Sequence, residues 1–189
     1  MRWPPTHPTK CDLLRARDGT AAVEFALIFP LMLTLFFGSF ELTSYEMANL
    51  KLSAATETAG DLVGQTRQQT PTITTSDIDN YTSAAGLVMT PLPLGPGLSL
   101  AYASIIYNAQ GAPQVDWHWE EHGASIITTG SLDAATLKKL GSGTDTIILV
   151  KAQYTYNSPF SWVLGKQYTI METVYNRPRY VAKVLCSNC

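Results

Sequence analysis

Residues 25–40 read FALIFPLMLTLFFGSF, a run of 16 without a single charge. As a helix this run is roughly 24 Å long, a little short of a ~30 Å hydrocarbon core. Thr20, Ala21, Ala22 and Val23 supply the missing length, which draws Glu24 to the membrane edge or into it. Glu41 and Glu46 mark the opposite boundary. A soluble core helix this apolar has to hide nearly every side, so the residues predict a transmembrane helix over 20–41. Arg15 and Arg17 precede it and no cation follows until Lys51, which keeps the N-terminus cytoplasmic and sends the rest to the periplasm or outside. No small-x-small cleavage site follows the run, since Gly38-Ser39-Phe40-Glu41 is a poor one. Pro30 removes a backbone donor and is expected to kink the helix.

The 189 residues suffice for one folded domain behind that helix, and at 46% hydrophobic and 15% charged the chain is not composed like a disordered one. The net charge of −2 conceals a polarity: residues 1–19 hold Arg2, Lys10, Arg15 and Arg17 against Asp12 and Asp18, so that stretch is cationic and the remainder acidic. No basic cluster follows, so nucleic acid is not an expected partner. Cys11 precedes the apolar run, whereas Cys186 and Cys189 can pair outside the reducing cytoplasm.

Glu24 is the residue that needs an explanation. An ionisable side chain in a spanning segment is costly; it either snorkels to the interface or has a function. Its context is RARDGTAAVEF, residues 15–25. This resembles the processing site of prepilins: a basic leader, a glycine at the cut, a glutamate five residues on, then an aromatic residue and an apolar helix. The resemblance places the cut between Gly19 and Thr20, with Glu24 and Phe25 as the fifth and sixth mature residues. Cleavage exposes a cationic amine on Thr20, which a neighbouring subunit's Glu24 can neutralise in a low-dielectric interior. An unbranched Gly19 lets the backbone extend into a protease.

The longer stretch RDGTAAVEFALIFPLML is similar to the start of the TadE family, minor pilin-like proteins of Tad (Flp-type) pilus systems. Gly19, Ala22, Val23, Glu24, Phe25, Ala26, Pro30 and Leu31 carry that likeness. So do IILVKAQYTY at 147–156, Pro159, and Arg177-Pro178-Arg179 near the C-terminus. Residues 70–140 carry no family signal.

Beyond the membrane the helix is expected to continue over 42–69. Tyr45, Ala48, Leu52, Ala55, Ala59 and Leu62 form a 3-4 stripe, with Glu46, Asn49, Ser53, Glu57 and Asp61 opposite. That stripe can pack on the chain's own domain or on another helix. The segment 70–76 reads as a linker, and Ser76 or Asp77 as the cap of a helix ending near Leu87. A Pro- and Gly-rich turn over 90–97 leads to strands at 98–108, 114–120 and 125–129. A helix over 131–140, with Leu132, Ala135 and Leu140 inward, precedes strands at 145–156 and 166–176, joined at Ser158-Pro159. The predicted fold is α+β: a long N-terminal transmembrane, pilin-like helix, then a small periplasmic domain over 70–189 with an antiparallel sheet of four or five strands.

Catalytic signals are weak. His118, Glu121 and His122 fit H-x-x-E-H, but that motif needs a helix, and the surroundings alternate like a strand that places Trp117 and Trp119 on its other face. Cys186 and Cys189 lack the following helix of a redox C-x-x-C and read as a structural clip or an intersubunit bridge. Asn80-Tyr81-Thr82 fits a glycosylation sequon but carries no weight in a bacterial-looking chain. There is no phosphate loop or nucleophile elbow. The expectation is a non-enzymatic pseudopilin, without metal or cofactor, cut by a prepilin peptidase after Gly19. Its partners are other pilin-like subunits, the inner-membrane assembly platform and the lipid bilayer. The assembly helix uses Glu24, Pro30, Tyr45, Ala48, Leu52, Ala55, Ala59 and Leu62. The alternatives are an uncleaved single-pass protein with a partner-binding or sensing domain, and a metallohydrolase using the three H-x-x-E-H residues.

Overall fold

The computed structural model describes residues 19–67, 69–92, 97–158, 160 and 167–189. The basic leader and most of the loop after Ser158 lie outside the described residues. Two compact units, Met1–Leu42 and Thr43–Cys189, divide the chain. Helix α1, Thr20–Gly64, contributes to both and stays helical through Pro30.

In the first unit the side chains from Thr20 to Phe36 are exposed, among them Leu27, Leu31 and Leu35. In the second unit α1 turns one stripe inward. Ala48, Leu52, Ala55, Ala59 and Val63 are buried, and Tyr45 packs partly buried against them. The stripe ends on Val63; Leu62, expected inward, is only half-buried, because one more residue of about 100° rotation carries the apolar face to Val63. The helix also stops at Gly64, not near Gln69. A Cβ there would lie 3.3 Å from the Arg177 carbonyl oxygen, and the Arg179 amide donates to the Gly64 carbonyl. The C-terminal segment therefore occupies the space a longer helix needs.

The segment 70–76 is not merely a linker. It holds strand β1, Thr72–Thr74, which pairs in parallel with β6, Leu185–Ser187. Thr74, rather than Ser76 or Asp77, caps helix α2, Thr75–Val88. Thr74 accepts from the Asp77 amide while the Asp77 carboxylate accepts from the Thr74 amide, closing a capping box. At the other end Lys51 of α1 donates to the carbonyls of Val88 and Thr90, satisfying acceptors the helix leaves open.

Strands β2 (Leu98–Tyr107), β3 (Pro113–Glu121), β4 (Ile147–Asn157) and β5 (Gln167–Asn176) form one antiparallel sheet in the order β3-β2-β4-β5. Strand β2 is buried on both faces, and β4 is buried on both faces over 147–150 and on one face beyond. Leu100, Tyr102, Ile148, Val150 and Tyr154 face the helical layer. Ala103, Ile105, Ile147 and Leu149 face a second cluster with Ile127 and Leu137. The expected strand at 125–129 is absent; that segment is irregular and enters a 3-10 turn at Thr129–Ser131, with Ile127 plugging the second cluster. Helix α3 is shorter than expected, Ala134–Leu140, because Asp133 caps it by accepting from the amides of Ala135 and Thr136. Leu137 is its buried residue, Leu132 and Leu140 are half-buried, and Ala135 is exposed.

The Arg177-Pro178-Arg179 segment ties these layers together. Arg177 donates to the Leu140 carbonyl and sits 3.7 Å from Asp145, while Arg179 pairs with Asp61 of α1 at 2.9 Å. Cys186 and Cys189 are bonded to each other, and Cys186 packs against the main core.

Truncating a buried stripe residue leaves a cavity. Leu52→Ala is therefore expected to lower the stability of the detergent-solubilised chain by about 2–5 kcal/mol. Leu50→Ala, two residues away and 70% exposed, is expected to change it by less than about 0.5 kcal/mol. Denaturant titration followed by tryptophan fluorescence measures both.

Candidate functional site

The site with the clearest chemical demand is the start of α1. Gly19 directly precedes the helix, and among the described residues a Cβ at that position would meet nothing within 4 Å. Among the described residues nothing gives a steric reason for a glycine there. Five residues on, Glu24 is exposed and enters no ion pair among the described residues. Phe25 stacks on Phe29 one turn later, with ring centroids 5.2 Å apart. Two other polar side chains of this stretch are satisfied within the helix: the Thr34 hydroxyl donates to the Pro30 carbonyl and the Ser39 hydroxyl to the Phe36 carbonyl, both at 2.9 Å. Such back-bonding makes a hydroxyl tolerable in hydrocarbon. A carboxylate has no equivalent within the helix, which sets Glu24 apart from these hydroxyls. At the far end Glu41 is buried, and neither of its oxygens has a hydrogen-bond partner among the described residues.

The structure separates the expected assembly residues into two groups. Glu24 and Pro30 belong to the exposed apolar stretch. Tyr45, Ala48, Leu52, Ala55 and Ala59 are used up against the chain's own sheet, so they are not a free face for a second helix.

His118, Glu121 and His122 do not converge. They lie on β3 and the turn after it, not on a helix. His118 Nδ1 meets Glu120 at 2.7 Å, and His122, at φ 53°, is 3.9 Å from Glu121. Trp117 and Trp119 turn to the other face, toward the main core, where the Trp117 indole donates to the Val184 carbonyl at 2.9 Å.

A feature that sequence reasoning missed is an acidic pair across the α2–β3 junction. Asp79, Thr82 and Ser83 of α2, with Glu121 and His122, line a 560 Å³ cleft. Burial, reinforced by a hydrogen bond with the Asp79 carboxyl, raises the Glu121 pKa above its ordinary 4.5; the Trp119 indole, donating at 2.7 Å, and nearby His122 work the other way. Asp79 and Glu121 are 42 residues apart, and only the docking of α2 beside β3 brings them together.

Among the described residues, one helix is long and apolar enough to cross a membrane, with a mean hydropathy of 2.0 in its best window and none of that window buried. The class thus defined is an α+β domain carried behind one N-terminal apolar helix compatible with a single-pass membrane protein. Residues 19–61 match the family model of the TadE-like protein, so the N-terminal helix is TadE-like and points to a component associated with Tad pili. No curated protein and no solved structure matches the chain.

The raised Glu121 pKa has a calculable sign. Between the ordinary value and the raised one the folded chain holds more protons than the unfolded chain, so this group's contribution falls as pH rises through that window and its full cost remains above it. Glu121→Gln, which keeps the acceptor for Trp119, is expected to stabilise the chain at pH 7 and to flatten the dependence just above pH 4.5. Thermal unfolding between pH 4 and pH 8 reads the effect; a variant less stable than wild type at pH 7 contradicts it.

Proposed function

We propose that the chain is a non-enzymatic, pilin-like component of a Tad-type pilus or secretion assembly, processed by a prepilin peptidase between Gly19 and Thr20. The observation that carries this reading is the coincidence of two features of the same segment. The TadE-like match begins at Gly19, and Glu24 is an exposed carboxylate that enters no ion pair among the described residues and stands in the apolar first half of α1. In this reading residues 1–19 are a cytoplasmic leader and residues 20–41 span the inner membrane. The domain from 70 to 189 lies in the periplasm or enters the fibre. Cleavage creates an amine at Thr20, and Glu24 of one subunit neutralises the amine of its neighbour. In a medium of low dielectric that pairing is worth far more than at a wet surface, provided both charges enter together. The membrane, other pilin-like subunits and the assembly platform are the partners, and no metal or cofactor takes part.

Two measurements test the proposal. Intact mass of the chain from its native membrane is expected to match a protein that starts at Thr20, with Gly19→Leu giving the full-length mass. A full-length wild-type mass would instead support an uncleaved single-pass protein with a periplasmic partner-binding domain. Independently, Glu24→Ala is expected to leave processing intact but to reduce surface piliation by about tenfold or more, as removing one charge of a desolvated pair strands the other. Undiminished piliation would overturn the assembly role of Glu24.

A further inference from the structure

The sheet has two outer strands, and among the described residues only β3 is protected. β3 carries a register shift opposite Ser104/Ile105, its Val115 amide donates to the Thr129 hydroxyl, and Lys183 binds its Asp116 at 2.8 Å. β5 pairs with β4 over ten residues in unbroken register and contains no Pro, Gly or Lys. Among the described residues, no backbone hydrogen bond reaches 169–176 except from β4. A long, regular outer strand without bulge, proline or lysine is a template for another strand, and natural sheets usually block it.

The flank of this edge has a definite charge. Helix α1 runs along β4 and β5, with the Tyr45 ring 6.1 Å from Tyr168 at one end and Gly60 beside Asn176 at the other. Lys51 projects the opposite way, to the end of α2. At about 100° per residue, this places Glu46 and Glu57 on the β5 side of α1. Glu172 of β5 shares the face of Ile170, which lies in the core against α1. None of these three carboxylates enters an ion pair among the described residues. The other face of the same edge presents Met171, 73% exposed.

We infer that the open edge of β5 receives an extended strand of a different polypeptide, with Lys or Arg at the alternating positions that face α1 and apolar residues on the Met171 side. The pairing is β-augmentation: main-chain hydrogen bonds supply the attachment, and the two alternating faces supply the choice of partner. A second copy of this chain fits poorly. A two-fold axis that pairs β5 with β5 sets the acidic flanks of the two copies, each with Glu46, Glu57 and Glu172, against one another, like charge to like charge. The remaining outer strand, β3, brings Glu120 and Glu121 toward an already acidic flank. The inference goes beyond the pilus reading and does not depend on cleavage at Gly19.

The test uses the full chain in detergent micelles, titrated with an acetylated peptide of about ten alternating Lys and Val residues and followed by amide hydrogen exchange. Exchange in 169–174 is expected to slow about tenfold or more at saturation, with β3 unchanged. A peptide with Glu for Lys, and one N-methylated at alternate residues, are expected to bind at least about tenfold more weakly. The triple variant Glu46→Gln, Glu57→Gln, Glu172→Gln is expected to lower affinity by a similar factor while keeping the wild-type melting temperature. Three results would overturn the inference: no protection of β5, equal binding of the Glu peptide, or β5 protection that grows with protein concentration in the absence of peptide, the signature of a second copy.

Discussion

The close seating of α1 on the sheet is the contact from which the rest of the domain takes its position. Three alanines, Ala48, Ala55 and Ala59, let the helix approach the strands, and Leu52 and Val63 fill the space between. Gly60 extends the same logic: a Cβ there would come within 2.6 Å of the Asn176 side chain. Because the helix sits so low, its flanks also become binding positions. Lys51 reaches the end of α2 on one side, and Asp61 holds Asn176 and Arg179 near the other. A single element thus sets α2, the sheet and the C-terminal segment relative to one another.

Much of this was legible in the sequence because it is local. An uncharged apolar run and a 3-4 stripe are properties of neighbouring residues, so α1 and the paired strands β2, β3, β4 and β5 were readable within a few residues. The errors fall where distant segments meet. The end of α1 at Gly64 depends on Arg177 and Arg179, and β1 is invisible without β6. Residues 125–129 alternate like a strand, yet Ile127 is taken by the second core cluster and the backbone finds no ladder. Arg177-Pro178-Arg179 could be recognised as a family-like ending, but its clamp on Leu140 and Asp61 needed coordinates.

The candidate site shows the same division. Gly19, Glu24 and Phe25 lie within seven residues, and their pattern could be read directly. Their structural environment then adds something sequence cannot: among the described residues nothing crowds the glycine, and the acid enters no ion pair. By contrast, the stripe from Tyr45 to Ala59 looked equally available for assembly. It turned out to be consumed by the domain, since an exposed stripe and a buried one have the same period.

The small parallel pair β1–β6 sets an order of events for a chain made from its N-terminal end. β1 follows α1 directly, but its partner strand is made more than a hundred residues later. The same late segment supplies Val184 to the Trp117 indole, Lys183 to Asp116 and Arg179 to Asp61. The sheet can assemble as it emerges, yet the layers stay unlatched until the tail arrives. A chain whose synthesis stops short of its last residues therefore presents a recognisably open domain, which gives quality-control proteases a clear distinction between finished and unfinished molecules.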